Sequence, residues 1–243
     1  LEGIQYFTSL ALLYCEGNNL SEINISNNPK IEILSCGKNN LSKIDISKNT
    51  NLEYLSINDN QLTDIDISNN VNLKSLNCSN NQLKKINTTT NNILLESLDC
   101  SNNCMSYLDI NSCVNLKSFT CYGNVISELD VSKNIILEYI GCSYNNISYL
   151  DVSSNTKIVE LNCHHNQISE LVLPLSINLN LLACHENKIE SLDVSYYVNL
   201  ETLYCDNNNL PDIDLSNNLK LSIVDCYSNP NMLHIYLKQG QSI

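Results

Sequence analysis

Basic residues are scarce in this chain. Lysine and arginine together account for 13 of its 243 residues, against 26 acidic residues, and the net charge is −13. Nucleic acids and anionic membrane surfaces are bound through basic patches. The charge balance therefore predicts that the chain binds neither of them.

Long apolar runs are also lacking. No stretch of 18 apolar residues occurs, so we expect no membrane span in this chain. Residues 1–13 have neither the basic segment of a signal peptide nor an initiating methionine. We interpret this end as the cut edge of a longer protein.

A unit of 21 residues repeats along the chain, with one interval of 22 residues between Leu73 and Leu95. It reads L-x-x-L-x-C-x-x-N-x-[LI]-x-x-[LI]-D-[IVL]-S-x-N-x-x, and repeat positions below are counted from its first residue. The eleven first residues are Leu10, Ile31, Leu52, Leu73, Leu95, Leu116, Leu137, Ile158, Leu179, Leu200 and Leu221.

The unit has the pattern of a short strand followed by irregular structure. Positions 4 and 6 are apolar and alternate with polar residues, which is typical of a strand with one buried face. After position 16 only S-x-N-x-x remains, which is too short and polar for a stable helix. We expect stacked parallel strands, with turns, extended segments or brief 3₁₀ pieces on the convex side.

This unit resembles the leucine-rich repeat, L-x-x-L-x-L-x-x-N/C-x-L, with cysteine in place of the third leucine. Its short length is similar to that of the bacterial cell-surface, internalin-like type. The resemblance implies a right-handed leucine-rich-repeat solenoid, α/β by convention but strand-rich, with a curved parallel sheet on its concave face. It also implies a single domain over residues 1–243. Its parts are a partial repeat at 1–9, eleven repeats at 10–230 and a closing segment at 231–243.

Asparagine occupies position 9 in all eleven copies, from Asn18 to Asn229. The chain leaves the strand there, so inward backbone groups lose their sheet partners. A side-chain amide offers two donors and two acceptor sites that can satisfy them. We therefore predict that these asparagines form a structural ladder.

Ten of the twelve cysteines lie at position 6, where Ile57 fills the slot in the third repeat. Isoleucine can neither bind metal nor form a disulfide, so the slot indicates a small buried hydrophobe. Parallel stacking also sets neighbouring Cβ vectors side by side, which disfavours disulfides. We expect reduced core thiols. Cys104 and Cys113 lie off this ladder, and the sequence leaves open whether they pair.

Aspartate recurs at position 15, which suggests stacked carboxylates and hence calcium. However, Asn24, Asn87 and Val172 interrupt the column. Carboxylates that accept local backbone and serine hydrogen bonds explain D-x-S-x-N better. The aspartates of this column are Asp45, Asp66, Asp109, Asp130, Asp151, Asp193 and Asp214.

The convex side has one anomaly, in the eighth repeat. There Leu171-Val172-Leu173-Pro174-Leu175-Ser176-Ile177 replaces the usual L-D-V-S stretch. We expect Leu175 and Ile177 to turn inward and repack the interior. If they were exposed, they would form a second contact surface.

Positions 3, 5, 7 and 8 carry the variable residues of the concave face in this family. They are mostly small and polar in the first five repeats, and aromatic or ionisable from the sixth repeat onward. Aromatic residues beside charges are typical of binding hot spots. The predicted ligand-binding residues are Tyr122, Tyr139, Tyr144, His164, His165, His185, Glu186, Tyr204, Asp206 and Tyr227.

Two chemical alternatives concern the same histidines. His164, His185 and Asp206 lie on consecutive repeats and could approach one metal ion, but no second shell can be argued from sequence. A hydrolytic pair of one histidine with Ser143 or Asp206 would lack an oxyanion hole on an open sheet. We therefore predict no catalytic residues, no metal and no cofactor.

The favoured function is a non-enzymatic module that recognises a protein ligand on its concave face. The alternative is a carbohydrate-binding surface, on which the tyrosines would stack against sugar rings. We expect an extracellular or cell-surface location as part of a longer bacterial protein. The cytoplasm stays open as an alternative, because buried thiols oxidise slowly and the ladder fits either compartment.

Overall fold

The computed structural model describes residues 1–87 and 92–241. Within it the chain forms two compact units, Leu1–Val125 and Ile126–Ile243, called unit 1 and unit 2 here. The single domain over 1–243 stays a prediction. Residues 242 and 243, which end the predicted closing segment, lie outside the described residues.

Unit 1 begins with a short 3₁₀ helix at Ile4–Tyr6 and continues with strands. The strands are β1 Leu12–Tyr14, β2 Ile33–Ser35, β3 Tyr54–Ser56, β4 Ile65–Asp66, β5 Ser75–Asn77, β6 Ile86–Asn87, β7 Ser97–Asp99 and β8 Ser118–Thr120. The main sheet has the order β1-β2-β3-β5-β7-β8, and its paired strands are parallel. Strands β4 and β6 pair separately, also in parallel.

Unit 2 repeats this arrangement. Its strands are β9 Tyr139–Gly141, β10 Tyr149–Asp151, β11 Glu160–Asn162, β12 Glu170–Val172, β13 Leu181–Ala183, β14 Thr202–Tyr204, β15 Asp212–Asp214, β16 Ile223–Asp225 and β17 His234–Tyr236. The main sheet has the order β9-β11-β13-β14-β16. Two smaller parallel pairs, β10 with β12 and β15 with β17, lie at the other side of the repeats.

Each main-sheet strand covers positions 3 to 5 of its repeat, and the register advances by one whole repeat. Leu161, for example, pairs with Ile140 on one side and Leu182 on the other, and all three side chains are fully buried. The predicted strand-rich parallel solenoid is therefore confirmed. Its helix content in the described residues is the single 3₁₀ turn, and no described helix is long and apolar enough to cross a membrane.

The position-6 cysteines line the interior as predicted. In unit 1 these are the thiols of Cys15, Cys36, Cys78 and Cys100, with Cys121 buried beside them, and in unit 2 those of Cys142, Cys163, Cys184, Cys205 and Cys226. Burial raises the pKa of Cys36, Cys142 and Cys184 to about 12. At neutral pH these side chains are therefore uncharged thiols, which pack as small hydrophobes.

The position-9 asparagines form the predicted ladder, and Asn208 shows its bonding. The Asn208 Oδ1 accepts the backbone N–H of Ile189 at 2.9 Å. Its Nδ2 donates to the carbonyl of Cys184 in the preceding repeat at 3.0 Å, and to those of Cys205 and Asp206 at 3.2 Å. One side chain thus satisfies four backbone groups and joins two repeats.

A second asparagine ladder, which the sequence analysis did not foresee, occupies the S-x-N segment. The Asn49 Nδ2 donates to the carbonyls of Ile25 and Asn28 at 3.2 and 2.9 Å, and Asn49 is fully buried. Asn155 bonds Val131 and Asn134 in the same way. Cys113 fills this position in its repeat and is buried, whereas Cys104 is exposed.

The turn after each strand is left-handed at position 8 in all eleven repeats. The residues there are Gly17, Lys38, Asp59, Asn80, Asn102, Gly123, Tyr144, His165, Glu186, Asn207 and Ser228, with φ between 49° and 70°. Residues other than glycine adopt this conformation at a cost of about 1–2 kcal/mol. A hydrogen bond between repeats offsets this cost, because the backbone N–H of position 8 donates to a carbonyl of the next repeat. The N–H of Lys38, for example, donates to the Asn58 carbonyl at 2.8 Å.

The prediction that Leu175 and Ile177 repack inward is wrong. Leu175 is 77 % exposed and Ile177 is 59 % exposed. Instead Tyr197 of the following repeat is buried, and its hydroxyl donates to the carbonyl of Pro174 at 2.8 Å. Because the tyrosine ring fills the interior, Leu175 is left at the border of a surface groove of about 740 Å³.

The position-15 carboxylates accept local hydrogen bonds, which is the structural role favoured above. The backbone N–H of Ser195 donates to Asp193 Oδ1 at 2.9 Å, and Ser68 does the same to Asp66. In both pairs the serine hydroxyl, and then the backbone N–H, lower the pKa of the carboxyl group. Asn24 accepts from Ser26 in the same way without a charge.

Candidate binding surface

The strand face of unit 2 carries nine of the ten predicted ligand-binding residues. We define this face as positions 3, 5, 7 and 8 of the repeats whose strands are β9, β11, β13, β14 and β16. Tyr144, Glu186 and Tyr227 are exposed there, Asp206 is buried, and the remaining five are partly exposed. Tyr122 lies in unit 1, where its hydroxyl accepts a hydrogen bond from Asn102 Nδ2 at 3.1 Å.

Four of these side chains form one cluster, which consists of Tyr144, His164, His165 and His185. The rings of His164 and His185 stack with centroids 4.3 Å apart and planes 9° from parallel. The Tyr144 ring stacks on His165 at 4.2 Å. The Nδ1 atoms of His164 and His165 are 2.9 Å apart, so one donates a hydrogen bond to the other.

The backbone under this cluster is held by bonds between repeats. The N–H of Tyr144 donates to the His164 carbonyl, and that of His165 donates to the His185 carbonyl, both at 3.1 Å. The ladder amides Asn166 and Asn187 also donate to the carbonyls of His164 and His185. The rings therefore project from a fixed turn rather than from a free loop.

Burial keeps the side chains of His164 and His185 neutral. Burial lowers the pKa of His164 to about 4, helped by the charges that His185 and His165 would carry and opposed by Asp206. Burial also lowers the pKa of His185, against the opposing charges of Asp206, Glu186 and Asp225. At neutral pH these imidazoles can therefore accept hydrogen bonds or act as ligands.

The remaining residues of the face lie around this cluster or beyond it. The ring of Tyr204 contacts His185 edge-on with centroids 6.0 Å apart. The carboxylate of Asp206 accepts a hydrogen bond from Asn207 Nδ2 at 2.7 Å. The hydroxyl of Tyr139 accepts a long bond of 3.5 Å from Asn162.

The hydrolytic pairs considered from the sequence are not formed among the described residues. The Ser143 hydroxyl is buried and has no hydrogen-bond partner, so no histidine activates it. The contact of His165 with His164 was not predicted from the sequence, because it depends on the left-handed turn at His165. The signal available was only its place at position 8, beside His164 at position 7.

Comparison with known proteins places this repeat in a family. The family model of leucine-rich repeats, in two copies, matches residues 50–91. Comparison with curated protein sequences gives no match.

Solved structures extend the likeness to nearly the whole chain. The functional domain of InlJ from Listeria monocytogenes, which includes a cysteine ladder, is 31 % identical with a TM-score of 0.89, over 97 % of this chain and 59 % of that one. The chain therefore spans less than two thirds of the InlJ structure. An internalin of the same species, InlF, is 21 % identical with a TM-score of 0.68, over 97 % of this chain and 83 % of that one.

A third likeness, at the same sequence identity as InlF, shows the fold alone. The Arabidopsis receptor kinase HAESA, solved in complex with the peptide hormone IDA and the co-receptor SERK1, is 21 % identical with a TM-score of 0.73. The match covers 91 % of this chain and 42 % of that one. Together the repeat, the parallel strands and the cysteine ladder show that this chain has the leucine-rich-repeat fold and is similar to the internalin InlJ.

Proposed function

We propose that this chain is a non-enzymatic recognition module that binds a protein through the strand face of unit 2. The observation that carries the proposal is the cluster of Tyr144 and three histidines on a rigid backbone. Rigid aromatic side chains bind with little loss of conformational entropy, and each also offers a hydrogen-bonding group.

The family likeness supports this class of function. Leucine-rich-repeat proteins are often protein-interaction modules, and HAESA was solved with a peptide hormone and a co-receptor bound. The histidines on the strand face of unit 2 are partly exposed, and they pack on one another rather than on a nucleophile. An open surface of this kind favours binding over catalysis.

A matched pair of tyrosines in one repeat tests the surface. Tyr144 lies on the strand face and is 52 % exposed, whereas Tyr149 lies in strand β10, outside the main sheet, and is 49 % exposed. A photo-crosslinking phenylalanine analogue is placed at either position in the full chain, which is then exposed to surface proteins of candidate partner cells. We expect a discrete protein adduct from position 144 and none from position 149.

Affinity measurements with the captured partner complete the test. Tyr144→Ala should weaken binding about 30-fold, which corresponds to a hot-spot loss of about 2 kcal/mol, and Tyr149→Ala should leave it unchanged. Equal effects of both variants would contradict a strand-face site. If Tyr144→Ala abolished binding to a glycan array while no protein adduct formed, carbohydrate would replace protein as the ligand class.

We also propose that the chain acts at the cell surface or outside the cell of a bacterium, as part of a longer protein. The likeness to two Listeria internalins supports this location. The buried, uncharged thiols are compatible with this location, because they oxidise slowly. Fractionation of the native cells, followed by immunodetection, should find the protein in the surface or secreted fraction; a cytosolic signal alone would refute the location.

A further inference from the structure

Three histidines of unit 2 lie close enough to share one ion. One ligand atom from each of His164, His165 and His185 falls within 4.8 Å of the others. From this arrangement we propose that the three side chains form a binding site for a single divalent transition-metal ion, with zinc as the expected occupant. Imidazole nitrogen is a preferred ligand of zinc, copper and nickel.

The distances suit this chemistry after small side-chain rotations. Zinc–nitrogen bonds are about 2.0–2.1 Å long, so nitrogens in a tetrahedral site lie about 3.4 Å apart. The Nδ1 atoms of His164 and His165 are 2.9 Å apart, and the three ligand atoms all lie within 4.8 Å of one another. These separations are close to the ideal value, so small rotations of the side chains suffice to bring the three nitrogens around one ion.

An unsatisfied atom at the cluster points to a missing ligand. The Nδ1 of His185 is buried and has no hydrogen-bond partner among the described residues. Buried polar atoms in folded proteins nearly always have a partner, and an unpartnered one needs an explanation. A metal ion would use this lone pair and would also replace the hydrogen bond between His164 and His165.

The charge around the cluster favours a cation. The negative charges of Asp206, Glu186 and Asp225 act on His185. A bound cation would be attracted by these carboxylates.

Three protein ligands leave one coordination position of a tetrahedral ion open. All three histidines are only partly buried, so the open position faces solvent, beside the exposed ring of Tyr144. A water molecule would occupy it in the isolated protein. A carboxylate or imidazole from a bound protein could take the water's place, and this would link the ion to recognition.

Direct titration tests the site. The full chain, without any histidine tag and after dialysis against a chelator, is titrated with Zn²⁺ in competition with a chromogenic chelator. We expect one ion per chain with a dissociation constant in the micromolar range or tighter. His164→Ala and His185→Ala should each weaken Zn²⁺ binding at least tenfold, since loss of a residue that only hydrogen-bonds to a metal ligand already lowers metal affinity about 10–100-fold. His234→Ala is the matched control, because His234 lies in strand β17 and is exposed; it should leave the affinity unchanged.

A second readout does not depend on how the variants fold. In the wild-type chain, Zn²⁺ should shift the imidazole ¹⁵N resonances of His164, His165 and His185 and leave those of His234 in place. The proposal is overturned if one equivalent of Zn²⁺ shifts none of the three, or shifts His234 equally. Absence of binding at 100 µM Zn²⁺ would overturn it as well, and the cluster would then be a packed aromatic surface.

Discussion

The two units share one scaffold and differ in what they display on it. In unit 1, Asn81 accepts from Leu62 and donates to Ile57, Cys78 and Ser79. In unit 2, Asn208 makes the same four kinds of bond. Position 7, by contrast, holds Glu, Gly, Asn, Ser, Ser and Tyr along unit 1, and Ser, His, His, Asp and Tyr along unit 2.

Charges show the same divergence. In unit 1, lysines pair with glutamates of the preceding repeat, as in Lys74 with Glu53 at 2.7 Å and Lys38 with Glu16 at 3.0 Å. In unit 2, the carboxylates near the cluster face histidines instead. The residue at position 9 is therefore the same in both units because it satisfies backbone hydrogen bonds, whereas the residue at position 7 can vary and carry a binding surface.

The largest expected effect tests whether the scaffold is the same in both units. Asn81→Ala and Asn208→Ala should each lower the free energy of unfolding by about 3–5 kcal/mol, since several buried backbone groups lose their partner at about 1–3 kcal/mol each. Urea denaturation measures both. Asn18→Ala is the control, because Asn18 is exposed and donates to only two carbonyls. A difference above about 1.4 kcal/mol, a tenfold change in equilibrium, between the two ladder variants would break the equivalence.

A cysteine pair tests the interior at finer resolution. Cys163→Ser buries a hydroxyl with no acceptor and should cost about 1–3 kcal/mol. Cys78→Ser should cost less, because the Cys78 sulfur already lies 3.5 Å from the Asp99 carbonyl, which can accept the hydroxyl. Thermal and urea unfolding of the two variants measure the difference. Cys163→Val, an apolar control for a slot that accommodates Ile57 in the third repeat, should stay within about 1.5 kcal/mol of wild type.

The left-handed turn distinguishes the units, because unit 1 places glycine there twice and unit 2 does not. Gly123→Ala should destabilise the protein by about 1–2 kcal/mol, and by more if the Asn102 side chain cannot move away from the new methyl group. Gly17→Ala has open space around the same φ and should cost only the backbone term. Equal unfolding free energies for the two variants would show that the Asn102 contact is harmless.

The smallest effect concerns the position-15 carboxylates and pH. The pKa of Asp193 is lowered by Ser195, so this carboxylate stabilises the fold above its unfolded pKa of about 3.9. That stabilisation is lost as pH falls through the lower folded pKa. Asp193→Asn and Asp66→Asn should each change stability at pH 7 by less than about 1 kcal/mol, because both sites are exposed. Unfolding curves from pH 7 to 2 should show a shallower acid-side decline in both variants; a steeper decline would contradict the assignment.

Periodicity predicted the backbone well and the site only in part. The spacing of the leucines predicted a strand around positions 4 and 6 of each repeat, and the main-sheet strands cover positions 3 to 5. Ile57 correctly indicated that the cysteine slot is structural. The second asparagine ladder was missed because S-x-N resembles an ordinary polar turn. Tyr197 could not be foreseen, since its burial depends on a carbonyl at Pro174, one repeat away. The contact of His165 with His164 likewise depends on a φ of 53° at His165, which cannot be predicted from the residue type.

The asparagine bonds also explain how an array of this kind can change length. Within unit 2, the bonds of Asn187 and Asn208 join residues 2, 3, 19 or 24 positions apart. Excision or duplication of one whole repeat leaves every such separation intact, because the next asparagine takes over the same partners. Whole repeats can therefore be added, removed or exchanged while the protein stays folded, and the recognition surface changes in length with them.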